Sequence, residues 1–191
     1  MAVGFTQWTV LPHKPLEKHA DNFWTVSGKL KTTTRVMCLA KLSDARVVVH
    51  NAIALEEPAM REIEAWGKPS FLIVPGGFHR QDAFIFKQRY PDIKVLCPTG
   101  AKKNVEKAVP VEGYFDALPP DPKVQLIEME SMKRMEGYMR VVSDNGTSLV
   151  VNDAIANIPS GNLFTRLMMG PIGQPSVPRV MRLLEIGRAH V

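Results

Sequence analysis

The stretch Phe71-Leu72-Ile73-Val74-Pro75-Gly76-Gly77-Phe78-His79-Arg80-Gln81-Asp82 decides how this chain is read. Four consecutive apolar residues followed by a Pro-Gly-Gly bend read as a short strand buried on both faces. Asp82 then opens a helix to residue 89, with Ala83, Phe86 and Tyr90 recurring at three-to-four spacing. A buried strand that bends through glycine into a helix is the building step of a parallel sheet.

The same step recurs on either side. Upstream, residues 46–49 form an apolar β-type run ending at His50. Glu56-Glu57-Pro58 then starts a helix that carries Met60 and Ile63 and stops at Gly67 and Pro69. Downstream, residues 93–97 form another buried strand, and Pro98-Thr99-Gly100 leads into a helix over residues 101–107. Residues 45–108 therefore alternate strand and helix, which predicts parallel strands with crossover helices. Before this block, residues 32–42 form a long β-type run that pairs with 46–50 across Ser43-Asp44-Ala45. Residues 5–11 and 22–26 read as further strands, with Gly28 at a turn. After the block, residues 124–128, 137–143 and 148–151 read as strands, the last two joined by Asp144-Asn145-Gly146. Residues 158–178 are rich in Gly and Pro, with a short helix expected around 163–169, and 179–184 begins another strand.

Composition bounds the class. The chain has 191 residues, 45% hydrophobic and 23% charged, enough for one buried core and too apolar for a disordered tail. No apolar run reaches the ~18–20 residues of a membrane span, and the N-terminus lacks a basic cluster followed by an apolar core. Cys38 and Cys97 lack metal or redox spacing and are expected as reduced strand residues, which points to a cytoplasmic setting. The net charge of +5 is mild and its basic residues are scattered, so no nucleic-acid or membrane partner is expected. The closing Glu185-Ile186-Gly187-Arg188-Ala189-His190-Val191 resembles the translation of a sequencing adapter. On that reading residues 1–184 are one domain, incomplete at its C-terminus, and 185–191 are a non-native tail.

Chemistry-bearing residues collect at strand ends, as in other α/β proteins. His50 and Asn51 end one strand. His79, Arg80 and Asp82 follow another, and Asp153 with Asn157 follows a third. A His and a carboxylate three apart on one turn can share a metal or act as base and orienter. Asp82 also suits a helix N-cap, His79 a hydrogen bond to loop backbone, and Asp153 the cap of the next turn. Met129, Met132, Met135 and Met139 read as apolar filler or a pliable surface. No P-loop, dinucleotide fingerprint or nucleophile elbow is present.

Taken in order, these segments resemble the metallo-β-lactamase superfamily, in a divergent branch of unassigned function. The resemblance rests on Leu42-Ser43-Asp44-Ala45-Arg46-Val47-Val48-Val49-His50-Asn51, on Ile73-Val74-Pro75-Gly76-Gly77-Phe78-His79 and on Arg89-Tyr90-Pro91 with Cys97-Pro98-Thr99-Gly100. It continues in Thr147-Ser148-Leu149-Val150-Val151-Asn152-Asp153-Ala154-Ile155-Ala156-Asn157 and Pro175-Ser176-Val177-Pro178-Arg179. It implies a four-layer αββα sandwich with a metal site at one edge of its two sheets, where a metal-activated water attacks an ester, amide, thioester or phosphodiester.

The chain departs from the family's ligand pattern. Active members carry His-x-His-x-Asp-His where this sequence reads Gly77-Phe78-His79-Arg80-Gln81-Asp82, leaving His79 and Asp82. A later family histidine has Glu136 as its only substitute, Asp153 matches the bridging aspartate, and a final histidine would lie beyond residue 184. The resemblance thus implies a divergent metal-dependent hydrolase whose metal is held by His79, Asp82 and Asp153, with Glu136 as a weaker ligand. His79 and Asp82 also serve as its catalytic pair. His50, Asn51, Arg80 and Asn157 line the cleft. A carboxylate-leaning set suits manganese, iron or magnesium as well as zinc. The alternative is a metal-free member that uses the cleft to bind a small molecule or a protein. Convergence of Asp82, Asp153 and His79 would favour the first; Arg80 paired with Asp153 would favour the second.

Overall fold

The computed structural model describes residues 4–30, 33–157, 166, 167 and 169–179. Seven strands form a mixed sheet in the order β1-β2-β3-β4-β5-β6-β7. The antiparallel half is β1 (Glu17–Ala20), β2 (Phe23–Leu30), β3 (Thr33–Lys41) and β4 (Arg46–His50). From β4 onward, β5 (Lys68–Ile73), β6 (Lys94–Cys97) and β7 (Gly113–Tyr114) pair in parallel. The crossovers are α1 (Glu57–Trp66), α2 (Ala83–Arg89) and, after a 3₁₀ turn at Thr99–Ala101, α3 (Lys102–Val105). The alternation read over 45–108 is therefore present as parallel strands and helices. Gly67 follows α1 in extended backbone, and a Cβ there would meet the Ala45 carbonyl oxygen at 2.6 Å, so no larger residue fits. A second, antiparallel sheet has the order β10-β9-β8, from β8 (Val124–Glu128), β9 (Gly137–Ser143) and β10 (Gly146–Val150). Two short strands, β11 (Ala156–Asn157) and β12 (Pro175–Ser176), pair with each other.

Strand parity divides the core in two. Met37, Leu39, Val47, Val49, Leu72 and Val95 face α1, α2 and α3, where Met60, Ile63, Phe86 and Val105 complete one buried cluster. The alternate residues Cys38, Ala40, Val48, Phe71, Ile73 and Leu96 face Val124, Met139, Val141 and Val150 of the small sheet. Helices, large sheet and small sheet are thus stacked in that order, three layers of the expected sandwich. No helix covers the outer face of the small sheet among the described residues, and Leu149 on that face is 61% exposed. Cys38 and Cys97 are buried and unpaired, and burial pushes both thiols up to about 12, which favours the protonated thiol at neutral pH. No described helix is long and apolar enough to cross a membrane.

Two local expectations change. Residues 5–11 are not a strand: they run as an irregular segment across the helical layer. Trp8 there packs on Phe86 at 5.1 Å between ring centroids and donates its Nε1–H to the Leu55 carbonyl. The apolar side chains that suggested a strand are spent on the helices. Gly28 lies inside β2, not at a turn, facing Ile53 and His13, where a Cβ would come within 3.2 Å of the Ile53 side chain. His19 belongs to β1, where its ring hydrogen-bonds the Thr25 hydroxyl. The helix expected at 163–169, the strand from 179 and the tail 185–191 lie largely or wholly outside the described residues.

Candidate metal centre

Three loops meet at one edge of the two sheets. The first leaves β5. Val74 stays on the sheet by donating its N–H to the Leu96 carbonyl, and the chain then bends through Pro75-Gly76-Gly77. The His79 N–H closes this bend on the Gly76 carbonyl at 3.2 Å. The second joins β8 to β9. It holds Lys133 and Arg134 at φ of +52° and +56°, a left-handed pair that carries the chain back to Glu136. It is pinned where the Gly100 N–H donates to the Arg134 carbonyl at 2.7 Å. The third follows β10 and carries Asn152 and Asp153.

The functional groups of His79, Glu136 and Asp153 converge, one ligand atom from each lying within 4.8 Å of the others. His79 Nε2 is 3.2 Å from Asp153 Oδ1. Glu136 is 6% exposed, and its Oε2 is buried without a hydrogen-bond partner. Burial, then the neighbouring Asp153 charge, push the Glu136 carboxyl up to about 7, while His79 holds the Asp153 carboxyl low. Gly76 lies where the first two loops approach: a Cβ there would sit 3.3 Å from Glu136 Oε1, a tight contact, and 3.6 Å from the His79 ring.

His50 ends β4 on the face turned toward the small sheet, opposite Cys38 and Ile73. It is buried, and its Nδ1 has no partner. Burial first, then the nearby His79, lower its pKa to about 3, so the ring is neutral. Asn152 Nδ2 is likewise buried and unpartnered. Among the described residues, three of the five buried side-chain atoms without a partner lie on His50, Glu136 and Asn152; the other two are Arg35 Nε and Nη2, beside Asp82.

Asp82 stands apart from this cluster. It occupies the N-cap position of α2, but its side chain does not cap that helix. One oxygen accepts the Ala54 N–H at 3.0 Å and the other pairs with the Arg35 guanidinium, all of it buried. The expected trio of His79, Asp82 and Asp153 is therefore not the trio that converges; Glu136 stands in the place given to Asp82. Arg80 does not reach Asp153 either, for its guanidinium donates to the Asn104 carbonyl. Asn51 adopts φ +57°, donates its backbone N–H to the Ile73 carbonyl and gives its side-chain amide to the Val36 carbonyl, so it closes the sheet end. Asn157 lies in β11.

Two residues had escaped the sequence reading. Arg35 had a visible signal, because it shares the inward parity of Met37 and Leu39, where a charge needs a partner. Gly76 had none, since its role depends on a loop sixty residues away.

No family model matches the sequence, and no curated protein matches it. Solved structures do, several metallo-β-lactamases among them. The crystal structure of VMB-1 at pH 5.5 superposes with a TM-score of 0.51 at 10% identity, covering 70% of this chain and 67% of that one. The metallo-β-lactamase DIM-1 exposed to ceftazidime gives 0.49 at 8% identity, with 81% and 76% covered. The mono-zinc form of the metallo-β-lactamase FIM-1 from Pseudomonas aeruginosa gives 0.47 at 9% identity, with 68% and 65% covered, so this chain spans 65% of that enzyme's length. The VMB-1 superposition carries the assignment, and what it carries is the fold alone: a mixed α/β chain of metallo-β-lactamase fold.

Proposed function

We propose that this chain is a divergent metal-dependent hydrolase in which His79, Glu136 and Asp153 hold one divalent cation. The observation that carries the reading is the buried Glu136 Oε2, unpartnered beside the His79–Asp153 contact, with all three groups offering an atom within 4.8 Å. One neutral imidazole and two carboxylates sum to two negative charges, the complement of a divalent ion, and three protein ligands leave positions for water and substrate. The oxygen-rich set suits manganese, iron or magnesium as well as zinc. When bound, such an ion supplies Lewis acidity toward a carbonyl or phosphoryl oxygen and lowers the pKa of water.

The chain's own groups have separate tasks. Asp153, 42% exposed at its side chain, faces the open side, whereas buried Glu136 closes the back of the site. Glu136 must lose its proton to ligate, so metal uptake strengthens as pH rises toward 7 and releases a proton below it. Neutral, buried His50 walls the inner side without adding charge.

A second reading has its own support. At neutral pH the proton retained by Glu136 can bridge to Asp153, which satisfies both carboxyls without an ion. That arrangement suits a metal-free binding protein on the same scaffold. Elemental analysis of the protein purified without chelator separates the two. About one equivalent of zinc, iron or manganese, lost in Asp153→Ala, together with turnover of an ester, thioester or phosphodiester, is the expected result. Absence of metal, and no uptake on titration with any of these ions or magnesium, overturns it in favour of the binder.

A further inference from the structure

The turn that carries His79 is gripped from outside, by an irregular segment over residues 4–14 that crosses the helical layer and is fastened along its length. At the near end the Phe5 N–H donates to the Gln81 carbonyl at 2.7 Å. Gly4 lies so close that a Cβ there would come within 2.8 Å of the Gln81 carbonyl oxygen and 3.1 Å of the Arg80 carbonyl oxygen. The Gln81 side-chain amide donates to the Phe78 carbonyl at 2.7 Å, so the peptide that precedes His79 is tied to the same residue. In the middle, the Trp8 ring packs on Phe86, its Nε1–H donates to the Leu55 carbonyl at 3.1 Å, and the Arg89 guanidinium lies 5.0 Å from the ring centroid. Arg89 is itself paired with Glu57 and Glu64 of α1. At the far end the Lys29 N–H donates to the Pro12 carbonyl and the Lys14 N–H to the Ser27 carbonyl, both at 2.8 Å, which lays the segment along β2. On the opposite side of the turn, Arg80 donates to the Asn104 carbonyl, and a Cβ at Gly77 would come within 2.8 Å of the Asn104 side chain.

We propose that residues 4–14 are a strap that sets the position of the His79 ring, with Gly4, Phe5 and Trp8 as positioning residues. A glycine-rich bend has little packing of its own to hold a side chain, whereas a metal donor must be held to within about 0.5 Å of its working place. The strap supplies that hold through two hydrogen bonds in series, Phe5 to Gln81 and Gln81 to Phe78, and Trp8 anchors it to the buried face of α2. The consequence for a bound ion rests on the hydrolase reading above; the placement of His79 against Asp153 does not.

The test uses the full chain in four variants. Gly4→Ala presses a methyl on the Gln81 and Arg80 carbonyls, Trp8→Ala removes the anchor, and Trp8→Phe keeps an aromatic ring to pack on Phe86. Asn22→Ala is the control: it breaks buried bonds to Val142 and Ser143, at the end of β9 opposite Glu136. Two quantities are read: the His79 ring signal in the ¹H–¹³C NMR spectrum of the metal-free protein at one pH, and affinity for zinc and for manganese by chelator competition. Gly4→Ala and Trp8→Ala are expected to move the His79 signal and weaken metal binding about tenfold or more, with Trp8→Phe within about threefold of the parent and Asn22→Ala unchanged in both. A His79 signal and affinity that stay at parental values in Gly4→Ala and Trp8→Ala overturn the strap and leave the hydrolase reading standing. Equal losses in Asn22→Ala overturn it too, because the effect is then one of general stability. Gly4→Ala decides alone if Trp8→Ala does not fold. Where the parent takes up neither ion, the hydrolase reading fails and the NMR signal decides the strap: movement in Gly4→Ala but not in Asn22→Ala supports it, and no movement overturns it.

Discussion

Three positions separate His79 from Asp82, yet the two ends of this turn sit in opposite electrostatic conditions. Asp82 is closed off: both its oxygens are taken, by Arg35 and by the Ala54 amide, beneath the helical layer. His79 opens toward the edge between the sheets, beside an acid with an unpartnered oxygen. The difference teaches how one short segment can serve fold and chemistry at once. A carboxylate whose valences are all met locks the bend to β3 and to the chain after β4. A cluster whose valences are not met is ready to take something else.

The contrast can be broken most forcefully at Asp82. Asp82→Ala leaves the Arg35 charge buried and uncompensated, and the expected loss is ~3–5 kcal/mol in urea unfolding. A variant that unfolds within about 1 kcal/mol of the parent but no longer takes up metal would exchange the roles assigned to the two regions. Next in size is the acid limb. His50 is neutral when folded, with a pKa near 3 against 6.5 unfolded. Between those values the unfolded chain binds the extra proton, so stability falls as pH falls, by up to about 4 kcal/mol at the bottom of the window. Unfolding midpoints at pH 7 and pH 4 should converge in His50→Asn, and an unchanged slope would mean that another group governs acid sensitivity.

Glu136 gives the opposite sign. Its folded pKa is raised from 4.5 to about 7, so the metal-free protein loses stability as pH rises across that interval, and Glu136→Gln should remove the decline. The same variant should weaken metal binding at least about 100-fold by competition against a chromogenic chelator. Retained affinity would show that Glu136 is not a ligand. The finest probe is Gly76→Ala. Its methyl would press Glu136 Oε1 by a few tenths of an ångström, and about a tenfold weaker metal affinity with stability changed by less than about 1 kcal/mol is expected. A larger fall in stability would point to strain in the bend itself.

Much of the fold was legible in order along the chain. The parallel block over 45–108 could be read because buried strands and amphipathic helices differ in period, and the turn at Asp144-Asn145-Gly146 because Gly146 takes a positive φ there. Residues 5–11 were misread because alternation reports which side chains want burial, not whether a strand edge is available to them. The site was half legible. His79 and Asp153 stand at strand ends, where apolar runs give way to polar groups without a structural need. Asp82 looked equivalent to them because spacing on a turn is blind to what lies across it.

What the sequence determined by itself is local: period, turns, the burial of two cysteines, and the places where polar groups follow buried strands. Tertiary structure alone decided which of those groups meet. Glu136 lies 57 positions beyond His79 and 17 before Asp153, so their convergence depends on how the two sheets stack. Asp82 was withdrawn by an arginine on a strand 47 residues earlier. Electrostatic roles follow distance through space, and in a sheet protein that distance is set by register and stacking, which no local pattern encodes.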